Sequence, residues 1–129
     1  MTYKFPKNLK YADTHEYVKV ENGCLKIGIS EFAVDQLGDI VFVDLLQKGQ
    51  TLKKGDNFGT IESVKAVEEV YLPASGEIID TNDSVIENPE ILQKDPVGEG
   101  WLVVIRPDKG FELEELMDSD QYQSKVAPK

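Results

Sequence analysis

At 129 residues, with 40% apolar and 29% charged side chains, the chain is expected to be one globular domain spanning 1–129 with a modest core. Its 14 basic and 24 acidic residues give a formal charge of −10, which opposes phosphate backbones and anionic lipid, so nucleic acid and membrane surfaces are excluded as expected partners. No apolar run approaches the ~18 residues of a bilayer span, residues 1–7 lack a signal-peptide core, and Cys24 has no internal disulfide partner. The expected compartment is the reducing cytoplasm, or the mitochondrial matrix for a processed mature form.

Residues 1–10 read as a loose Lys-rich arm pinned at most by Tyr3 and Phe5, followed by a polar lead-in, Tyr11 to His15. Two alternating runs from Glu16 to Ile29 surround Asn22-Gly23, a pair that tolerates positive φ and signals a hairpin. Val18, Val20, Leu25, Ile27 and Ile29 should form its buried face. Ser30 can cap a helix over Glu31–Leu37 that Gly38 ends, packed down by Phe32, Ala33 and Leu37. Ile40-Val41-Phe42-Val43 is too continuously apolar for a half-wet strand and predicts a central one. Lys48 to Asp56 is a glycine-punctuated reversal.

Two further short runs, Asn57–Glu62 and Val67–Leu72, have Lys65 between them, which predicts a lysine at a hairpin tip. Carboxylates surround it at Glu62, Glu68 and Glu69. Pro73 to Gly76 predicts a turn, Glu77 to Asp80 a strand, and Asn82 to Asn88 a second reversal. Gly49-x-x-Leu52-x-x-Gly55 and Asp83-x-Val85-x-x-Asn88 form a faint repeat on either side of Lys65, which fits two β half-units related by a pseudo-two-fold axis. Asn88-Pro89 starts a helix to about Lys94, Gly98-x-Gly100 is a tight turn, and Trp101 to Ile105 is the last strand. Phe111, Leu113, Leu116 and Met117 have rough helical spacing, which predicts a C-terminal helical segment over 110–125. The pattern is mostly β with short helices.

Little in the chain points to catalysis. His15 is the single histidine and has no nucleophile partner identifiable by motif, so a structural or surface role is the plainer reading. Cys24 falls in a predicted strand as a core thiol. There is no metal-ligand cluster and no phosphate-binding glycine fingerprint. A Schiff-base lysine needs burial or neighbouring positive charge, whereas acids flank Lys65 at an exposed tip. From spacing alone, an ordinary surface lysine in a turn is the plainer reading of Lys65.

Glu62-Ser63-Val64-Lys65-Ala66 resembles the lipoyl-attachment motif of the glycine cleavage system H-protein family, and the likeness spans nearly the whole chain. Thr14-His15-Glu16 is similar to the family's opening block, and GISEFAVDQLGDIVFVDL (Gly28 to Leu45) to its next one. Pro73-x-Ser75-Gly76-Glu77, Asn88-Pro89 and Gly98-Glu99-Gly100-Trp101 follow in the expected order. Tyr17 stands where the family usually has tryptophan, and Glu69 where aspartate is more frequent.

The resemblance implies a barrel-sandwich hybrid of the lipoyl/biotinyl-carrier type, built from two β half-units with a C-terminal helix. It also implies a monomeric, non-catalytic carrier with no metal. Lipoate would be amide-linked to Lys65, with Glu62, Ser63, Val64 and Ala66 as the recognition motif and Thr14, Glu16 and Glu69 lining a cleft for the arm. The implied partners are glycine decarboxylase (P protein), aminomethyltransferase (T protein), dihydrolipoyl dehydrogenase (L protein) and lipoate-attaching enzymes. Two alternatives stand beside this one. One is a lipoyl or biotinyl domain of another complex, which Val64 and Ala66 argue against; the other is a lipoyl-relay protein of similar fold.

Overall fold

The computed structural model describes residues 5–109 and 115–126. Among the described residues nine strands and four short helices follow in the order β1 (Lys10–Tyr11), β2 (Glu16–Glu21), β3 (Cys24–Ile29), α1 (Glu31–Leu37), β4 (Ile40–Leu45), β5 (Thr51–Leu52), β6 (Asn57–Ser63), β7 (Val67–Tyr71), β8 (Gly76–Thr81), α2 (Asp83–Glu87), α3 (Glu90–Lys94), β9 (Val103–Pro107) and α4 (Ser119–Val126). They make a six-stranded sheet, β1-β2-β3-β9-β8-β5, and a three-stranded sheet, β4-β6-β7, every pair antiparallel. One apolar cluster draws on both, with Ile27, Ile78 and Ile105 from the larger sheet and Val43, Phe58, Ile61 and Val70 from the smaller. Among the described residues no helix is long and apolar enough to cross a membrane.

Local chemistry accounts for the first half of the chain. Asn22 and Gly23 take positive φ (52° and 77°), the backbone that turns β2 into β3. The Ser30 side chain accepts from the Ala33 N–H, and Gly38 ends α1 at φ 79° and ψ −143°, a conformation that strains any residue with a Cβ.

Several expectations are corrected. The N-terminal segment is not loosely held as far as residue 5 onward is described. Leu9 and Tyr11 are buried, Lys10 and Tyr11 pair with β2, and the Phe5 carbonyl accepts a 2.6 Å bond from the Ser119 hydroxyl; Tyr3 lies outside the described residues. On β2 Val18 is buried as expected, but Tyr17 is buried as well and Val20 is exposed. The Tyr17 hydroxyl donates to the Pro96 carbonyl at 2.8 Å, and its ring occupies the space where a Cβ on Gly28 would sit. Cys24 opens β3 half-buried rather than in the core.

The apolar run at Ile40 is not a central strand. β4 is an edge of the three-stranded sheet, with β6 in the middle, and a bulge between Ile40 and Phe42 turns Val41 and Phe42 outward. Asn82 to Asn88 contains the one-turn helix α2, because the Val85 and Asn88 N–H groups bond back to the Asn82 and Ser84 carbonyls. The C-terminal helix exists but begins at Ser119. Met117 instead pairs its backbone with Tyr11 as a β-bridge, while Phe111 and Leu113 lie outside the described residues.

Candidate functional site

The Lys65 hairpin is β6 and β7, closed by Val64-Lys65-Ala66. Ser63, nearly buried at the end of β6, organises the turn: its hydroxyl oxygen accepts from the backbone N–H of Lys65 (3.3 Å) and Ala66 (3.1 Å). Its own N–H donates to the Ala66 carbonyl at 2.8 Å. The Val64 N–H donates to the Asp39 carbonyl at 3.0 Å, tying the tip to the segment between α1 and β4. All three N–H groups around the lysine are therefore bonded, while the side chain itself is exposed. Its Cε passes 3.6 Å from where a Cβ on Gly38 would stand, so the end of α1 flanks the lysine stem.

Beside this tip lies a cavity of about 320 Å³. Ala66 lines it next to Lys65, Phe32, Ala33 and Gln36 of α1 form one wall, Glu68 and Glu69 of β7 the other, and Thr14 and His15 close the far end over an apolar floor. The volume lies in the range that encloses a small ligand (roughly 300–1,000 Å³). Glu69 Oε2 accepts from the Tyr71 hydroxyl at 2.9 Å.

The three residues nominated for a cleft occupy two different places. Thr14 and Glu69 border the cavity. Glu16 stands behind it, 1% exposed, accepting from the Thr14 hydroxyl on one oxygen and from the Tyr71 N–H on the other at 3.0 Å. Burial raises the Glu16 carboxyl above its ordinary value, against the bonds from Thr14 and from the backbone. Its geometric task is to tie the Thr14 loop to β7. Glu16→Ala leaves a buried N–H and the Thr14 hydroxyl without their acceptor, and should cost about 1–3 kcal/mol in urea unfolding. Glu16→Gln keeps an amide oxygen there and should retain most of that stability.

Sequence reasoning placed Glu68 among the acids around Lys65 but assigned neither it, nor His15, nor the α1 wall to the cleft. Glu68 was legible by alternation, since it shares parity with Val70 and Leu72, both buried. Phe32 and Ala33 were expected as packing residues and instead border the cavity. Beyond its place in the Thr14-His15-Glu16 block, His15 gave no local signal, because its position rests on a left-handed backbone (φ 80°) that few non-glycine residues adopt. Its Nδ1 lies 2.7 Å from the Tyr122 hydroxyl of α4, which also contacts the Ser30 hydroxyl at 2.6 Å.

Burial first, and Lys125 second, hold the His15 imidazole below its ordinary 6.5, against the opposing pull of Glu68 and Asp13. The folded chain then takes up this proton at lower pH than the unfolded chain does. The stability His15 contributes is fully present above the ordinary value and is lost as pH falls below it towards the folded pKa. Melting temperature should therefore fall between about pH 7.5 and about pH 5.5, and His15→Asn, which tolerates the left-handed backbone, should flatten that slope.

A family model described as glycine cleavage H-protein matches residues 9–129. The chain belongs to this family. Two glycine cleavage system H proteins of Prochlorococcus marinus are each 70% identical to it, that of strain MIT 9515 over 128 residues (99% of each chain) and that of strain AS9601 over 129 residues (100% of each). The crystal structure of a glycine cleavage system H protein from Mycobacterium marinum superposes with a TM-score of 0.87 at 32% identity, covering 95% of this chain and 99% of that one. The glycine cleavage H-protein fold is thus the barrel-sandwich hybrid anticipated from the resemblance, with the mostly β composition, short helices and C-terminal helix expected of it.

Proposed function

We propose that this chain is the lipoyl-bearing, non-catalytic carrier of the glycine cleavage system. It would shuttle the aminomethyl group of glycine from glycine decarboxylase to aminomethyltransferase, and electrons to dihydrolipoyl dehydrogenase. The observation that carries this reading is the Lys65 tip: an exposed side chain, a backbone root with its N–H groups all bonded, and a cavity that begins at the next residue. Those residues fit a lipoyl group amide-linked to Nζ, with Glu62, Ser63, Val64 and Ala66 as the motif an attaching enzyme would read.

A lipoyl group in this place supplies a reducible disulfide that takes up the one-carbon unit and two electrons. The chain's own contribution is positional. Ser63 and the Asp39 carbonyl hold the root, so partners meet the arm at high effective concentration about a fixed centre. Phe32, Ala33 and the apolar floor exclude water from a retracted arm. Glu68 and Glu69 present negative charge to a cationic amine, with Thr14 at the far end and Glu16 holding Thr14 in place.

Glycine-dependent NADH formation on reconstitution with the P, T and L proteins tests the reading, and its absence from a lipoylated sample would refute it. Within the cleft, Glu69→Ala should speed hydrolysis of the loaded carrier, measured as ammonia release without the T protein. An unchanged rate would remove Glu69 from the lining.

A further inference from the structure

Five large apolar side chains are prominently exposed among the described residues, and four of them surround Lys65: Val41 (55%), Phe42 (49%), Val64 (70%) and Val67 (61%). Register places them together. Phe42 pairs with Glu62 and Glu62 with Val67, one row across the three-stranded sheet. The neighbouring pair Val43–Ile61 is buried, so by alternation this row lies on the sheet's outer face, with Val64 at its end. Asp44 pairs with Thr60 two residues along on the same face. The result is an apolar strip with carboxylates at its middle and its edge, on the side of the hairpin away from the hydrophobic core.

Nothing in the fold requires this. A strand at a sheet edge is normally polar on its wet face, and a cluster of exposed large apolar side chains marks a place where something docks. Distance from the lysine identifies the occupant. Proteins that act on the far end of an arm can sit an arm's length from Lys65. The enzyme that makes the amide must take Nζ itself into its active site, and its walls must then rest on the residues around Lys65.

We infer that the outer strip Phe42–Glu62–Val67, with Val64, is the docking surface for the lipoyl-attaching enzyme, whose matching face is an apolar seat rimmed by lysine or arginine. This inference rests on the carrier reading above. In the step it serves, the neutral Lys65 amine attacks the carbonyl of a lipoyl adenylate. The new C–N bond forms as the acyl–phosphate oxygen bond breaks, AMP leaves, and the amine gives up one proton. The chain's part is to seat the hairpin so that Nζ reaches that carbonyl. Phe42 is the aromatic anchor, and Glu62 and Asp44 meet the basic rim.

The test uses the full-length apo chain with a purified lipoate–protein ligase, lipoic acid and ATP, reading the lipoyl mass increment with time. Phe42→Ser and Val67→Ser should lower kcat/KM about tenfold or more, mainly through KM, because truncating a central anchor costs at least that much affinity. Asp44→Lys, which alters charge without touching the core, should also raise KM. Val20→Ser, which removes the fifth exposed apolar side chain at a distance on β2, should match the wild type. Melting curves would confirm that each variant is folded.

Variants driven to full lipoylation should then serve the P, T and L proteins at the wild-type rate. Wild-type attachment kinetics in both Phe42→Ser and Val67→Ser would overturn the inference. So would slowed turnover with the P, T or L proteins at unchanged attachment, or a self-association of the wild type that Phe42→Ser abolishes, since each assigns the strip to another occupant. A wild-type chain that gains no lipoyl mass would refute the carrier reading itself, which distinguishes that failure from a failure of the strip alone.

Discussion

Lys65→Arg is expected to remove the lipoyl mass increment completely and, with it, all glycine-dependent NADH formation in the reconstituted system. Arginine keeps the charge and the length of the side chain, but its guanidinium stays protonated and its nitrogen lone pairs are delocalised, so it does not accept an acyl group. The fold should not notice. The bonds that shape the turn run from the Val64, Lys65 and Ala66 N–H groups to the Asp39 carbonyl and the Ser63 hydroxyl, and none involves the Lys65 side chain. Unfolding free energy should change by no more than about 0.5 kcal/mol, as for other surface substitutions. Intact mass with urea unfolding checks both halves. An increment that survives the substitution would move the attachment site elsewhere.

The second large effect is expected at Tyr122. Its ring stacks on Tyr11 at 4.5 Å between centroids and 5° between planes, and meets the Phe5 ring edge-on at 5.6 Å. Burial pushes its hydroxyl up to about 12, so it remains a phenol and bonds with both His15 and Ser30. Tyr122→Ala removes the aromatic packing and both contacts at once, and should cost about 3–5 kcal/mol. Tyr122→Phe keeps the stack and loses only the hydroxyl, at about 1 kcal/mol. Urea midpoints for the two variants measure the ratio. If Tyr122→Ala cost as little as Tyr122→Phe, α4 would be an appendage rather than part of the cleft's support.

How much of this was legible depended on whether the deciding interaction was local. The Asn22-Gly23 turn, the Ser30 cap and the Gly38 stop each follow from one or two residues' own conformational preferences, and all stand as expected. The Lys65 hairpin was equally legible, since it lies between two strands of ordinary pattern. Ile40 to Val43 was misjudged because apolarity marks removal from water without saying what removes it; in the folded chain Val41 and Phe42 face outward. The Asn82–Asn88 segment was read as a reversal because a one-turn helix is too short to show a period. Glu16 and His15 depend on partners 55 and 107 positions away, Tyr71 and Tyr122, which no local pattern encodes. Glu68 could have been found, because the alternation of β7 already turned it inward.

The edge position of β4 also bears on how safely the chain can be made. Ile40-Val41-Phe42-Val43 is an uncharged, β-branched and aromatic tetrad without proline, the composition that self-assembles when a strand edge is open. The chain guards it in three ways. Asp39 and Asp44 bracket the tetrad as charged gatekeepers. The bulge at Ile40/Phe42 spoils its register for a second strand, and the Ile40 N–H is occupied by the Gln93 side chain of α3 at 2.9 Å. That last guard exists only after α3 has docked, some fifty residues later in synthesis. Until then the two aspartates and the acidic balance of the chain already made are what keep nascent chains from pairing with one another.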